Sequence, residues 1–314
     1  MDLRRDERKR IARAPAKLNL FLELLGRRDD GFHEVETLMV PIRFADSVTF
    51  LPVRSIERNL PAEIQLGVRV CDPVRSPFAS KPIPTGADNL VVRALELLRQ
   101  RSGCELGAHV ELVKRVPAAA GLGGGSSDAA AALRLANLGW RLQWTNDRLA
   151  EVAAEIGSDI PFFVYGGAAV CRGRGERVER LPALPPVHFV VVKPPVGLNT
   201  GDTYHAYAAM TEHAENRGAT LGRLADLISS LVGRGGRNPA RWMQNRLQNA
   251  ASSLSPWVDR LRMAFDQLDF EGHQLSGSGS AYFGVCRHAQ HARRLATILR
   301  TRQLGLVYAT RSCH

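Results

Sequence analysis

Residues 117–128 read Pro-Ala-Ala-Ala-Gly-Leu-Gly-Gly-Gly-Ser-Ser-Asp, and the glycines at 121, 123, 124 and 125 are the first candidates for chemistry. Glycine takes backbone conformations closed to other residues, so such a run can turn several N–H groups toward one point. At the start of a helix those donors meet the positive end of the helix dipole, and the two together make an anion site. A turn that binds nothing is the plain alternative, and the backbone entropy that so many glycines lose on folding weighs against it. A Walker A loop needs Lys and then Ser or Thr after its last glycine, whereas Ser126 follows Gly125 directly. The dinucleotide fingerprint needs glycine where Ser126 stands, and the first acidic residue after Asp128 is Asp147, late for a ribose carboxylate. The reading that fits best is a loop for the phosphates of a nucleotide triphosphate.

Three further places carry polar groups in pointed contexts. Lys17 and Asn19 alternate with Leu18, Leu20 and Leu22, so they share one side of an extended segment. That segment is either an edge strand with a solvated face or a strand that carries a site. Phe32 and His33 follow Gly31 in a turn, where core packing and a surface hydrogen bond are their plain roles. Asp159 stands between a helix stop at Gly157 and the run Ile160-Pro161-Phe162-Phe163, where it either caps the short turn at Pro161 or is a positioned carboxylate.

The elements that must position these groups are legible from period and caps. Residues 109–116 alternate as a strand that Pro117 ends. Ser126 and Ser127 are N-cap candidates, and Asp128 suits the first turn of the helix they would open. Ala129, Ala132, Leu133 and Ala136 give that helix a small-residue face for close packing. Asp88 and Asn89 cap a helix with Val92, Leu95 and Leu98 inside, and Thr145 or Asn146 caps another with Leu149, Val152, Ala153 and Ile156 inside. Residues 34–44 and 46–53 read as two strands of one antiparallel sheet, and residues 166–178 as a glycine-punctuated hairpin. Residues 54–86 read as a loop-bearing excursion with one strand-like piece at 64–70.

The Pro-rich break at residues 181–186 divides the chain into expected domains 1–182 and 183–314. The second half opens with a strand at 188–193, a proline-rich turn to Thr200, and a helix bearing Tyr204 and Tyr207. Amphipathic helices are expected at 221–231 and 257–268, with a basic glycine-rich stretch at 233–241 between them. Residues 275–285 form a second Gly/Ser loop, Ser276-Gly-Ser-Gly-Ser280, feeding a strand.

At 314 residues, 45% hydrophobic and 23% charged, the composition is that of a soluble globular protein. The longest apolar stretch falls far short of a bilayer crossing, and the basic residues 1–13 read as a solvated tail rather than a secretory signal. A net charge of +11 invites a nucleic-acid partner. The arginines are spread along the chain without an aromatic-interleaved stripe, and polyphosphate ligands account for the charge equally well. The five scattered cysteines lack metal spacing and suggest reduced thiols in a cytosol.

Taken together, Lys17-Leu-Asn-Leu, Asp30-Gly-Phe-His33, Gly121 to Ala130, Gly157-Ser-Asp159-Ile-Pro161 and Ser276-Gly-Ser-Gly-Ser-Ala281 resemble the GHMP family of small-molecule kinases. The resemblance implies an α+β, two-domain GHMP kinase fold, with an N-terminal ATP-binding domain like one found in a ribosomal protein and a ferredoxin-like C-terminal domain. Within that family the motifs resemble members of non-mevalonate isoprenoid synthesis that phosphorylate the 2-hydroxyl of a cytidine diphosphate-linked methylerythritol. It implies Asp159 as general base and Lys17 polarising the hydroxyl and the phosphoryl group. ATP phosphates would lie on Gly121, Gly123, Gly124, Gly125, Ser126 and Ser127, bridged by Mg2+, with Asn89 and Lys114 bordering the adenosine. Phe32, His33 and Tyr204 would hold the cytosine, and Asn19 and Thr200 the rest of the substrate. No residue is assigned to a metal, and no nucleic-acid or membrane partner is expected of this cytoplasmic monomer or homodimer. Three departures stand out: Phe32 where Tyr is common, Ala118 to Ala120 where further glycines often lie, and the extra charge of Arg172 and Arg174. Another small alcohol as substrate, a basic RNA-binding module, and an NAD-dependent enzyme are the competing classes.

Overall fold

A computed structural model describes residues 9–54, 62–71, 83–211, 222–232 and 239–313. Strand β1, Arg10–Arg27, pairs antiparallel with β2, His33–Val53, from Arg10 opposite Phe50 to Arg27 opposite His33. The sheet therefore begins at Arg10, inside the stretch read as a solvated tail. The two strands expected at 34–44 and 46–53 are one. Opposite Pro15 and Ala16 the register jumps from Ala45 to Ile42, so Arg43 and Phe44 bulge out and β2 bends without ending. Proline lacks the N–H that regular pairing would use there.

Strand β3, Ile64–Val70, is the strand-like piece of the excursion and runs parallel to β4, Gly107–Lys114. Residues 55–61 and 72–82 of that excursion lie outside the described residues. Helix α1, Leu90–Ser102, starts on Asn89, whose side chain accepts from the Val91 N–H at 2.8 Å. Helix α2, Gly124–Gly139, follows the glycine loop, and α3, Asn146–Ile156, is capped by Thr145. The short α4, Ile160–Tyr165, leads to the hairpin β5, Ala169–Gly173, and β6, Arg177–Arg180. The first sheet runs β3-β4-β2-β1, with β5 and β6 continuing from the other end of β2. Its helix-covered face is one core in which Phe50, Leu95, Leu133, Trp140 and Phe162 are buried. The four alanines at 129–132 are buried there too, which lets α2 lie close on the strands.

Strand β7, His188–Lys193, opens the C-terminal half, followed by α5, Thr200–Thr211, and α6, Arg223–Val232. Of the basic stretch at 233–241, residues 233–238 lie outside the described residues, and Pro239–Arg241 is a short 3-10 turn. Next come strand β8, Gln244–Asn245, and helices α7, Gln248–Leu254, and α8, Pro256–Asp266. Strands β9, Gly272–Leu275, and β10, Tyr282–Cys286, flank the second Gly/Ser loop, and α9, Ala289–Thr301, returns to β11, Leu306–Arg311. The second sheet has the order β11-β7-β10-β9, antiparallel throughout.

The two sheets are not independent. Strand β8 runs parallel to β1, with Phe21 opposite Gln244 and Leu22 opposite Asn245. The buried Glu23 carboxylate accepts from Arg246 Nε at 2.6 Å and from Gln244 Nε2, which clamps that segment onto β1. One apolar cluster joins Leu18 and Phe21 of the first sheet to Phe189 and Phe283 of the second. Beta-1 is thereby an interior strand, which overturns the edge-strand alternative and places Lys17 and Asn19 where no water reaches them freely.

Candidate active site

The walls of one cavity of about 790 Å³ bring together fourteen of the fifteen predicted site residues. Ser127 is the exception. It is buried, its Oγ without a hydrogen-bond partner among the described residues. Helix α2 starts two residues before the expected caps, because Gly123 itself is the cap, at φ 67°. Glycine takes that left-handed conformation without a Cβ penalty, so Ser126 and Ser127 fall inside the first turn.

The glycine loop is held by backbone on both sides. The Lys17 N–H donates to Leu122 O at 2.9 Å, pinning the loop to β1. On the far side Gly121, at φ 70°, passes so near the second Gly/Ser loop that a Cβ there would lie 2.0 Å from Ser276 O. Ser276 Oγ donates to Gly121 O at 3.1 Å. The N-terminal half thus contributes the glycine loop, and the loop between β9 and β10 packs on it from the other half. Ala119 takes φ 48° on the approach, a left-handed position where L side chains are strained.

Asp128 does not sit in the first turn facing solvent. It turns inward onto Lys114, whose Nζ it meets at 2.7 Å and which also pairs with the fully buried Asp46. Burial opposes the charge on Lys114, yet Asp128 and Asp46 together raise its pKa above the usual lysine value. Burial pushes the Asp128 carboxyl well up against the pull of Lys114, with Asp46 adding repulsion. The three groups form a buried triad directly under the helix start: a Cβ on Gly124 would come 3.2 Å from Lys114 Nζ. Asp46 also accepts from the Arg115 and Val116 N–H groups, which ties down the end of β4.

At the centre of the cavity Lys17 Nζ donates to Asn19 Oδ1 at 2.5 Å and lies 3.6 Å from Asp159 Oδ2. Asn19 Nδ2 donates to Thr37 Oγ1 at 2.8 Å, and Thr37 donates on to Phe21 O at 2.6 Å. Asp159 holds the N-cap position of α4 but makes no capping bond. Its carboxylate faces Lys17 instead, which removes the plain capping role that local sequence favours. Gly277 crosses just above, where a Cβ would lie 3.1 Å from both Lys17 Nζ and Asn19 Oδ1.

The other end of the cavity is aromatic. His33 and Tyr204 rings stand 5.4 Å apart at 41°, and Tyr207 meets His33 edge-on at 5.9 Å. Burial lowers the His33 pKa, with Arg27 adding to it, which disfavours the charged imidazolium. Burial raises the Tyr204 phenol, and the Asp159 charge raises it further. Phe32 is half-exposed at the mouth, with the Arg174 guanidinium 5.1 Å from its ring centre. Thr200 Oγ1 lies 2.9 Å from Ser278 Oγ. Asn89 lies at the opposite end, its Nδ2 donating to Pro84 O at 2.7 Å.

Sequence reasoning missed several groups that build the site. Thr37 could have been noticed as a lone hydroxyl before the apolar run Leu38-Met39-Val40. Asp46 was visible only as the start of a strand. Asn245 left no local signal, yet its Nδ2 donates to Leu275 O at 2.9 Å and Gly277 O at 2.8 Å, while Gln248 Oε1 accepts from the Leu275 N–H at 2.9 Å. Together they set where the second Gly/Ser loop stands.

Comparison with known proteins gives the arrangement its family. The model of the GHMP kinases N terminal domain matches residues 89–167, and that of the GHMP kinases C terminal region matches residues 206–303. The 4-diphosphocytidyl-2-C-methyl-D-erythritol kinase of Pelotomaculum thermopropionicum is 37% identical over 291 residues, covering 91% of this chain and 92% of its own. A crystal structure of a 4-(cytidine 5'-diphospho)-2C-methyl-D-erythritol kinase superposes with a TM-score of 0.75 at 33% identity, over 97% of this chain and 100% of that one. A homoserine kinase from Cytophaga hutchinsonii superposes at 0.69 with 19% identity over 99% and 96% of the two chains, which speaks for the shared fold alone. With a lysine and a carboxylate facing each other between two glycine loops, and with identity spread over nine-tenths of its length, the chain belongs to the 4-diphosphocytidyl-2-C-methyl-D-erythritol kinase family of GHMP kinases.

Proposed function

We propose that the protein transfers the γ-phosphoryl group of ATP to the 2-hydroxyl of 4-diphosphocytidyl-2-C-methyl-D-erythritol. The observation that carries this reading is the Lys17–Asp159 pair, 3.6 Å apart, standing between the phosphate-facing loop and an aromatic end fit for a nucleobase. Asp159 takes the hydroxyl proton as the oxygen attacks phosphorus, and the Lys17 ammonium offsets the charge that gathers on the transferring group. Because phosphoryl transfer is mostly positioning and charge neutralisation, the placing of this pair is the main contribution the chain can make. Asn19 keeps Lys17 aimed, through the relay to Thr37.

Gly121, Gly123, Gly124, Gly125 and Ser126 cradle the triphosphate through backbone N–H groups and the start of α2. Asn89 and Lys114 border the adenosine side, Lys114 as a fixed charge beneath the helix start. Ser127 supports the loop from behind. Phe32 and Tyr204 stack the cytosine, and the ring nitrogens of the His33 imidazole meet its polar edge. Thr200 contacts the remainder of the substrate beside Ser278.

Among the described residues no group of three or more His, Cys, Asp or Glu could cage a metal. A Mg2+ carried on nucleotide phosphates needs only one or two protein oxygens. Of the cavity-wall carboxyl groups Asp88, Asp128 and Asp159, those that fit such an ion are Asp159, which faces Lys17, and Asp128, whose buried Oδ1 has no partner among the described residues. When bound, it neutralises the β- and γ-phosphates. Among the described residues no helix is long and apolar enough to cross a membrane, and the five cysteines are free, in keeping with a cytoplasmic enzyme. The domains of that enzyme are 1–182 and 183–314, meeting across the cavity as a monomer or homodimer. A coupled assay of ADP release tests the reading: ADP must form only when ATP, Mg2+ and the cytidyl substrate are all present. No ADP above background with all three would sink it.

A further inference from the structure

We propose that Arg174 is a substrate-binding residue that neutralises the diphosphate of the cytidyl substrate. The proposal rests on the cytidyl-substrate reading and names the group that holds its charged linker. Such a substrate has a base at one end, a reacting hydroxyl at the other and two phosphates between them. The same cavity holds an aromatic group, His33 with Tyr204, and the Lys17–Asp159 pair at its centre. A diphosphate crossing that span needs a cation.

The lysines on the wall are already taken. Lys17 is held by Asn19 and Asp159, and Lys114 lies between two buried carboxylates. Arg174 lines the same cavity and makes no ion pair among the described residues. The neighbouring arginines do: Arg172 pairs with Glu36 and Glu179, Arg177 with Glu34, and Arg28 with Asp30 and Glu34. Asp30, the acid that feels the Arg174 charge, is bonded to Arg28.

Its backbone is fixed while its side chain is left available. At the tip of the β5–β6 hairpin the Gly173 N–H donates to Glu34 Oε1 at 3.2 Å, and the Arg174 N–H to Glu176 Oε2 at 2.7 Å. The guanidinium lies over Phe32, and the next residue, Gly175, packs against the reacting carboxylate, where a Cβ would lie 3.7 Å from Asp159 Oδ1. Arg174 therefore reaches from the base-holding wall to within one residue of the chemistry. A guanidinium there offers several donors in a fork that matches phosphate oxygens.

The test uses the full chain with ADP saturating the nucleotide loop, and compares binding of CDP and of cytidine in wild type, Arg174→Met and Arg174→Lys. Losing a hydrogen bond to a charged group costs about tenfold or more. Arg174→Met is expected to weaken CDP by about that factor and leave cytidine unchanged, and Arg174→Lys to recover part of the loss. In turnover the same factor is expected in KM for the cytidyl substrate, with KM for ATP held. CDP binding unchanged in Arg174→Met overturns the proposal, and so does an equal loss for CDP and cytidine, which would make Arg174 a support for Phe32. If wild type binds CDP but releases no ADP, the activity falls while the CDP comparison still judges Arg174. If wild type binds neither ligand, both fall.

Discussion

Lys17 and Asp159 meet with Nζ 3.6 Å from Oδ2, an ammonium only 5% exposed against a carboxylate 36% exposed. The lysine is fixed from beneath by Asn19 and the acid is open to what enters the cavity. That asymmetry fits a fixed charge beside a group that must exchange a proton. Asp159→Asn keeps the shape and removes the proposed base, so kcat is expected to fall by about 10²-fold or more with KM for ATP little changed. Steady-state kinetics at saturating nucleotide checks it, and wild-type turnover in the variant would refute the role.

The Asp46–Lys114–Asp128 triad predicts a loss of stability from residues two of which, Lys114 and Asp128, also line the cavity. Lys114→Met strands the Asp46 charge, which also holds the Arg115 and Val116 N–H groups, in a buried position. Breaking one partner of a buried pair costs about 3–5 kcal/mol. Urea unfolding is expected to show that loss. Adding Asp46→Asn should return part of it, since the uncompensated charge is then gone.

Asn245 offers a case where activity and stability separate. Asn245→Ala removes two donors from the backbone of the second Gly/Ser loop, about 1 kcal/mol each in stability. The same change frees Gly277 from its position over Lys17 and Asn19. Because small misplacements at a reacting centre cost more than the bond lost, kcat is expected to fall about tenfold. A thermal melt beside the kinetics distinguishes the two effects.

Lys193 predicts a pH dependence. It is buried, donates to Pro194 O and Val196 O at 2.7 Å each, and burial lowers its pKa to about 8. Unfolded lysine keeps its proton to about pH 10.4, so between those values the unfolded chain binds the extra proton. Stability contributed through Lys193 must then rise with pH across that window. Subtracting the unfolding free energy of Lys193→Met from that of wild type should give a difference flat below about pH 8 and rising in favour of wild type above it. A difference that stays flat or falls would refute the shift.

Local signals carried much of this protein. Asn89 and Thr145 cap the helices that their side chains announce, and the strands at Ile64–Val70 and His188–Lys193 stand where alternation and β-branching put them. The glycine loop was legible as a turn leading into a helix because its requirement is local: positive φ at Gly121 and Gly123 next to a helix start. Which residue caps that helix was less legible, since Ser126, Ser127 and Gly123 all qualify until the backbone φ is known.

The sequence by itself determined the family, the helices and strands named above, and the residue types available for phosphoryl transfer. Tertiary structure decided which of two jobs each ambiguous residue performs. Asp159 could cap α4 or face a cation, and only the pairing of β1 in the sheet interior brings Lys17 to it. Lys17 and Asn19 could lie on an edge, and only the tertiary fold brings β8 beside β1 at Phe21 and Leu22 and the second Gly/Ser loop over Lys17 and Asn19 at Gly277. Asp128 could serve the helix dipole, and Lys114 draws it inward. Periodicity and capping act over a few neighbouring residues, whereas these outcomes depend on strand order and register between distant segments, which no local pattern specifies.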